Sequence, residues 1–284
     1  MIVLDAHALV LSADRMRYPF AGDAPPPQPG ELEACTEVAG LRQALADRAP
    51  AGAVLVQRNR FHGHDNSLIC DLAAASPVLR ALCSVDARRA DAGAMARHWL
   101  EARGAHGLRF MEPEKGSDLG WLAGDAARDA WRAAAERGAV MDIHVFPWNR
   151  VEALAALAGL LRDFPDMPVL LDNLGNAAIE AGAPDFGIDA ALRGVIDHPR
   201  LTLKFSDMTV QRAGRAGLEP TDIVARFAAL VGAERLAWGS DVLPAGVDLG
   251  MAVERAIDTT AGLDEAAGRA VLHDNVAALF GFAA

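Results

Sequence analysis

Several classes of function are excluded by what this sequence lacks. It has three cysteines, Cys35, Cys70 and Cys83, and no C-x-x-C spacing. An odd, unpatterned set indicates neither a disulfide framework nor a thiol metal knuckle, so free thiols in a reducing compartment are expected. A basic stripe is also missing. Lys and Arg total 27 against 38 Asp and Glu, for a formal net charge of −11. Such a chain repels phosphate backbones and anionic lipid, so no nucleic acid partner is expected. No apolar run reaches membrane-spanning length, and the opening Met-Ile-Val-Leu-Asp carries no basic signal region. The expected setting is cytoplasmic, with no membrane partner. No Gly-x-Gly-x-x-Gly follows an apolar run, which weakens the case for an open doubly wound sheet. Nothing in the sequence fixes an oligomeric state.

What is present is alternation. The 284 residues are 52% apolar, but 26 Gly and 15 Pro break them into short runs. Strands are expected at Ile2–Ala6, Ala53–Gln57, Ala81–Val85, Gly107–Phe110, Val140–His144, Val169–Asp172, Leu201–Ser206 and Leu236–Gly239. Several are apolar nearly throughout, as parallel strands buried on both faces are. Ala/Leu-rich amphipathic segments lie between them, at Gly40–Arg48, Asn66–Ala75, Asp91–Arg103, Asp125–Arg137, Val151–Asp163 and Thr221–Val231. More helix is expected at Asp264–Leu279. About eight β/α repeats in a chain of this length imply closure into a single-domain (β/α)₈ TIM barrel spanning residues 1–284.

In such a barrel the chemistry sits at the C-terminal strand ends and in the loops that follow. His7 ends the first strand, His144 the fifth and Asp241 the eighth. An Asp closing an almost apolar strand is costly unless it is paired, hydrogen-bonded or ligating. Arg109 ends the fourth strand, and Arg58 and Arg60 follow the second. Planar guanidinium groups suit bidentate carboxylate binding, so a small anionic substrate is expected. His62 and His64 have a metal-like spacing but read as loop surface. Lys204, near the end of the seventh strand, needs a partner such as Asp207 if buried. The long first loop, Ser12 to Glu33, is Pro-rich and reads equally as a lid or as rim packing.

The opening Asp5-Ala6-His7, the Trp238-Gly239-Ser240-Asp241 of the last strand and the terminal Asp274-Asn275-Val276-Ala277-Ala278-Leu279-Phe280-Gly281-Phe282 together resemble the amidohydrolase-2 group of the amidohydrolase superfamily. Val54-Leu55-Val56-Gln57, Asp65-Asn66, Gly107-Leu108-Arg109-Phe110 and Leu203-Lys204-Phe205-Ser206 are similar to its 2-pyrone-4,6-dicarboxylate lactonase and sugar-lactonase branch. The resemblance implies a (β/α)₈ barrel that hydrolyses lactones or related bonds, or decarboxylates small acids. It also implies, in some members, one divalent metal held by His-x-His on the first strand and a His after the fifth. In those members the Asp on the eighth strand serves as ligand or base.

The chain departs from that pattern. Leu9 stands where the second His of His-x-His belongs, and Asn173 stands where Asp-His-x-Gly would place a His. Val242-Leu243-Pro244 replaces a Trp-Pro after Asp241. His7, His144 and Asp241 remain as a possible set of ligands for zinc or manganese. The metal-free alternative makes Asp241 a general base, its pKa raised by burial, with His7 and His144 stabilising the oxyanion. Asn173 is then placed to orient water or substrate. The function expected is the opening of a small carboxylated lactone or ester by base-activated water. A decarboxylase-like lyase and a degraded, ligand-binding barrel stay open beside it.

Overall fold

The structure is a computed structural model, and it describes residues 1–26, 36–242 and 248–283. Eight parallel strands follow one another in sequence order around the sheet. They are β1 (Leu4–Ala8), β2 (Gly52–Val56), β3 (Leu79–Ser84) and β4 (Gly107–Met111), then β5 (Val140–His144), β6 (Val169–Leu171), β7 (Leu201–Ser206) and β8 (Leu236–Gly239). Helices alternate with them on the outside, which makes the fold the (β/α)₈ barrel that the alternation implies. None of the helices is long and apolar enough to cross a membrane, among the described residues.

Alternation along each strand sorts the residues into two sets. In β5, Met141 and Ile143 pack in the larger core with helix residues such as Trp131 and Leu154. Val140 packs instead with Val54, Val56, Leu82, Leu170 and Ala237, the set that fills the barrel. Val276 and Phe280, from the helix Asn275–Phe280, join this inner set. Trp238 is fully buried in the outer core, as its place in an apolar strand implies.

Strand boundaries move where polar residues hide them. β1 starts at Leu4, not Ile2, and Ile2 is 62% exposed. β3 starts at Leu79, two residues before the expected Ala81, because Arg80 sits inside the strand. Its guanidinium donates to the carbonyls of Phe280 and Gly281 at 2.9 and 2.6 Å, which lets an arginine occupy an apolar strand. β6 ends at Leu171, one residue early, since the chain then enters a left-handed turn. Cys70 and Cys83 are free and buried, with sulfurs 3.5 Å apart, and Cys35 lies outside the described residues.

The first long loop is described only as far as Pro26, so the lid reading of Ser12 to Glu33 lies partly outside the described residues. Its first half packs down: Phe20 stacks on Phe61 with centroids 4.9 Å apart, and the Ala21 N–H donates to the Phe61 carbonyl. His62 is buried beneath it, its Nδ1 3.1 Å from the Pro19 carbonyl. That corrects the loop-surface reading of His62, whereas His64 is exposed.

Candidate active site

The seam between β1 and β8 builds the site. The β1–β2 register shifts between Asp5 and Ala8, so His7 lies in an irregular stretch. Across the seam the Asp241 N–H donates to the His7 carbonyl at 2.9 Å, and the Ser240 hydroxyl donates to the same oxygen at 3.1 Å. Asp5 ties both sides together. Its Oδ1 accepts from the N–H groups of His7 at 2.8 Å and Ser240 at 2.7 Å. Gly239 is required here, because a Cβ on it would lie 2.6 Å from the His7 Cβ. Asp241 itself adopts a φ of 41°, a conformation that a non-glycine residue holds only under tertiary constraint.

Inside the mouth five charged or ionisable side chains meet around Asp172. Arg109 Nη1 lies 2.6 Å from Asp172 Oδ2 and 3.2 Å from Asp142 Oδ1. Lys204 Nζ lies 2.6 Å from Asp172 Oδ1 and 2.8 Å from Asp142 Oδ2. His144 Nδ1 lies 3.2 Å from Asp172 Oδ2. His7 Nδ1 lies 3.0 Å from Lys204 Nζ, and His7 Nε2 lies 3.6 Å from Asp241 Oδ1. Asp142, Asp172 and Lys204 are essentially inaccessible to solvent. Buried charges of this kind persist because each cation meets two carboxylates.

The electrostatics agree with that pairing. Burial alone would push the Asp172 carboxyl up, but Arg109 and Lys204 hold it well below the ordinary carboxylate range. Burial would likewise lower Arg109 and Lys204, yet the neighbouring carboxylates raise both. Asp5 differs: burial dominates and raises its pKa, and its Oδ2 has no hydrogen-bond partner among the described residues.

These contacts favour particular proton positions. An ammonium has donors only, so His7 in its neutral form can accept at Nδ1 from Lys204 and then carries its proton on Nε2, facing Asp241. An ionised carboxylate only accepts, so His144 donates from Nδ1 to Asp172. In its neutral form that ring keeps a lone pair on Nε2.

After β6 the residues Asn173, Leu174, Gly175 and Asn176 all have positive φ, from 47° to 60°. This left-handed turn carries Asn173 beside β7, where its Oδ1 accepts from the Ser206 hydroxyl at 2.6 Å. Strain stored next to ionised groups is a common property of functional sites.

Residues 4–282 match the amidohydrolase family. The chain belongs to that family. No curated protein matches it. Among solved structures it is similar to a protein described as a probable 2-pyrone-4,6-dicarboxylic acid hydrolase from Acinetobacter baumannii with citric acid bound. Identity is 19%, with 99% of this chain and 100% of that one covered, at a TM-score of 0.73. An amidohydrolase from Burkholderia multivorans with bound zinc aligns at 19% identity over the whole of both chains, with a TM-score of 0.67. A 2,6-dihydroxybenzoate decarboxylase from Rhizobium aligns at 13% identity over 99% of this chain and 98% of that one, with a TM-score of 0.67. At these identities the structural likeness speaks for the fold.

His7, Asp241 and His144 thus come to one mouth, linked by Asp172 and Lys204. They do not fit a divalent metal. Among the described residues no three His, Cys, Asp or Glu side chains are arranged to hold one. The nitrogens of His7 lie 3.0 Å from the Lys204 ammonium and 3.4 and 3.5 Å from the Arg109 guanidinium. Like unit charges 4 Å apart repel by about 4 kcal/mol even at an effective dielectric constant of about 20, and a dication doubles that. Leu9, in place of a ligand, packs in the inner apolar set.

Arg109 is in the mouth, but its Nη1 is paired with two carboxylates. Arg58 lies over the Phe61 ring, 5.7 Å from its centroid, and Arg60 lines a cleft between the ends of β2, β3 and β4. Asp207 is not the partner of Lys204. It pairs with Arg255 at 2.6 Å and accepts from Gln211, while Lys204 points into the barrel. Asp142 and Asp172 lie within the expected strands Val140–His144 and Val169–Asp172, but nothing in their spacing marks them as the charges that Arg109 and Lys204 need. One signal was available for Lys204. The chain contains only two lysines, Lys115 and Lys204, among 27 basic residues. A chain that otherwise uses arginine and keeps a lysine in an apolar strand marks a site where a compact ammonium is required.

Proposed function

We propose that this protein is a hydrolase that opens a small, activated lactone or ester with water, Asp241 being the general base. The observation that carries the reading is the facing pair of His7 Nε2 and Asp241 Oδ1, 3.6 Å apart at the mouth. One nitrogen that can carry a proton and one carboxylate that accepts one face each other there.

Asp241 takes a proton from water as the oxygen attacks the carbonyl carbon. The His7 Nε2–H donates to the oxyanion that forms. His144, whose Nδ1–H is held by Asp172, offers its Nε2 lone pair to the second hydrogen of the water, a role different from the oxyanion contact expected for it. When the tetrahedral intermediate collapses, the carbon–oxygen bond to the leaving group breaks. The alkoxide takes the proton from Asp241, which leaves a hydroxy acid. The site supplies no Lewis acid in this scheme, so the carbonyl must be reactive by itself. A carboxylate on the substrate is not part of the proposal, because the Arg109 charge is already met by Asp142 and Asp172.

Acid release from a panel of small lactones, followed at constant pH, tests the reading. Asp241→Asn keeps the shape and removes the proton acceptor, and should lower turnover by about 10²–10⁴-fold. Turnover unchanged by that substitution, or release of carbon dioxide in place of a hydroxy acid, would overturn it.

A further inference from the structure

Beyond His144 the chain leaves β5 and stacks aromatic rings beside that histidine. The imidazole of His144 and the ring of Phe146 meet edge to face, with centroids 4.6 Å apart and planes at 70°. Phe146 in turn lies flat against Trp148, 4.6 Å away with the planes 6° apart. Lys115 Nζ stands 4.9 Å from the Trp148 ring centre. A continuous stack therefore runs from His144 to the rim of the mouth. Trp148 is 49% exposed, so burial of apolar surface accounts for only part of its placement.

Hydrogen bonds fix the stack at both ends. Asn176 Nδ2 donates to the Val145 carbonyl at 2.7 Å, and the Phe146 N–H donates to Asn149 Oδ1 at 2.8 Å. Asn176 belongs to the left-handed turn after β6, so the turn that follows Asp172 also sets the path of this loop. At the outer end Trp148 Nε1 donates to Glu112 Oε2, while Glu112 Oε1 accepts from the Gly116 N–H at 2.8 Å. Glu112 is buried, and it ties the loop after β4 to the loop after β5.

His144 needs such support. Among the described residues its ring makes one hydrogen bond, from Nδ1 to Asp172 Oδ2 at 3.2 Å. A charge-assisted N–H···O bond of full strength is shorter, about 2.7–2.9 Å. The same oxygen is shared with Arg109 Nη1 at 2.6 Å. One long, shared bond leaves the imidazole free to swing about its Cβ–Cγ bond, and each swing carries both ring nitrogens off their directions. A neighbouring ring packed at a steep angle opposes that swing, because edge-to-face pairs have a preferred geometry.

We propose that Phe146 is a positioning residue that holds the plane of the His144 imidazole, with Trp148 as the plate that keeps Phe146 in place. In that plane Nδ1 reaches Asp172, and Nε2 keeps one direction. The inference rests on the hydrolytic reading for the task of His144, but not for its orientation.

Nitrogen NMR of the His144 ring in the full chain, assigned by comparison with His144→Gln, reads that orientation. The solution is mildly alkaline, above the usual imidazole pKa of about 6.5. In the wild type the proton should lie on Nδ1, held by Asp172. Phe146→Leu keeps apolar bulk but no ring plane, and the proton should then be shared between the two nitrogens. Phe146→Tyr keeps the ring and should restore the wild-type pattern. Trp148→Ala alters an exposed residue, so it serves if Phe146→Leu does not fold, and it should shift the pattern in the same direction. Turnover of a lactone should fall about 10-fold in Phe146→Leu at unchanged KM and recover in Phe146→Tyr. A wild-type tautomer in both Phe146→Leu and Trp148→Ala overturns the proposal, as does a Tyr variant that behaves like the Leu variant. The NMR judges the stack alone, whereas lactone opening by Asp241→Asn judges the hydrolytic reading, so either can fail without the other.

Discussion

Lys204 Nζ stands 3.0 Å from His7 Nδ1, and His7 Nδ1 also faces Asp172 Oδ1 at 3.5 Å. The lysine therefore decides the ring's tautomer. With Lys204 present, Nδ1 accepts and Nε2 carries the proton toward Asp241. Without it, Nδ1–H would turn to Asp172, and Nε2 would become an acceptor opposite another acceptor. Lys204→Met combined with Asp142→Asn removes one cation and one anion, which limits the loss of stability. Nitrogen NMR of the His7 ring, assigned by comparison with His7→Gln, should show the proton on Nε2 in the wild type and on Nδ1 in the double variant. The same tautomer in both would mean that Lys204 does not set it.

Arg109→Met should act mainly on folding. It leaves Asp142 and Asp172 with one cation between them, and breaking a buried pair costs about 3–5 kcal/mol. Urea unfolding should show that loss. Arg109→Met with wild-type stability but a raised KM would instead mean that Arg109 serves the substrate, as the sequence suggested.

Chelation should leave activity unchanged, because the two cations beside His7 repel a dication there. Activity lost on dialysis against a strong chelator and restored by zinc or manganese would show that the side chains rearrange around a metal.

Asp5 should matter through its two backbone contacts. Asp5→Asn retains an oxygen for the His7 and Ser240 N–H groups, whereas Asp5→Ala retains none. Turnover should fall in the Ala variant by about 10-fold or more at unchanged KM, and return in the Asn variant, as for a group that sets transition-state geometry. An equal loss in both would mean that the carboxylate charge itself is needed.

The pH dependence of stability should carry the signature of Asp172. Its folded-state pKa lies well below 3.8, so its contribution is complete above the unfolded value and is lost as pH falls toward the folded one. The advantage of wild type over Asp172→Asn in urea midpoint should be constant near neutrality and shrink below about pH 4. Lys204 has the opposite sign, and its raised pKa keeps its contribution intact until strongly alkaline pH. A wild-type advantage that persists at the lowest pH where the chain stays folded would mean that Asp172 is not held by its charge.

The barrel is legible in the sequence, because eight short apolar runs alternating with amphipathic helices leave few other closed arrangements. So is the meeting of His7, His144 and Asp241 at one mouth, because strand ends in this architecture converge whatever their separation in sequence. What surrounds them follows from the packing of the barrel. Asp142, Asp172, Lys204 and Arg109 come from four different strands, and Coulomb pairing between them depends on distances of a few ångströms that no sequence spacing encodes. The same reason moved Arg109 from an expected anion contact to an internal ion pair, and gave Lys204 to Asp142 and Asp172 in place of Asp207. Strand-end position is a property of the pattern. The partner of a buried charge, and with it the proton on His7, is a property of the packed barrel.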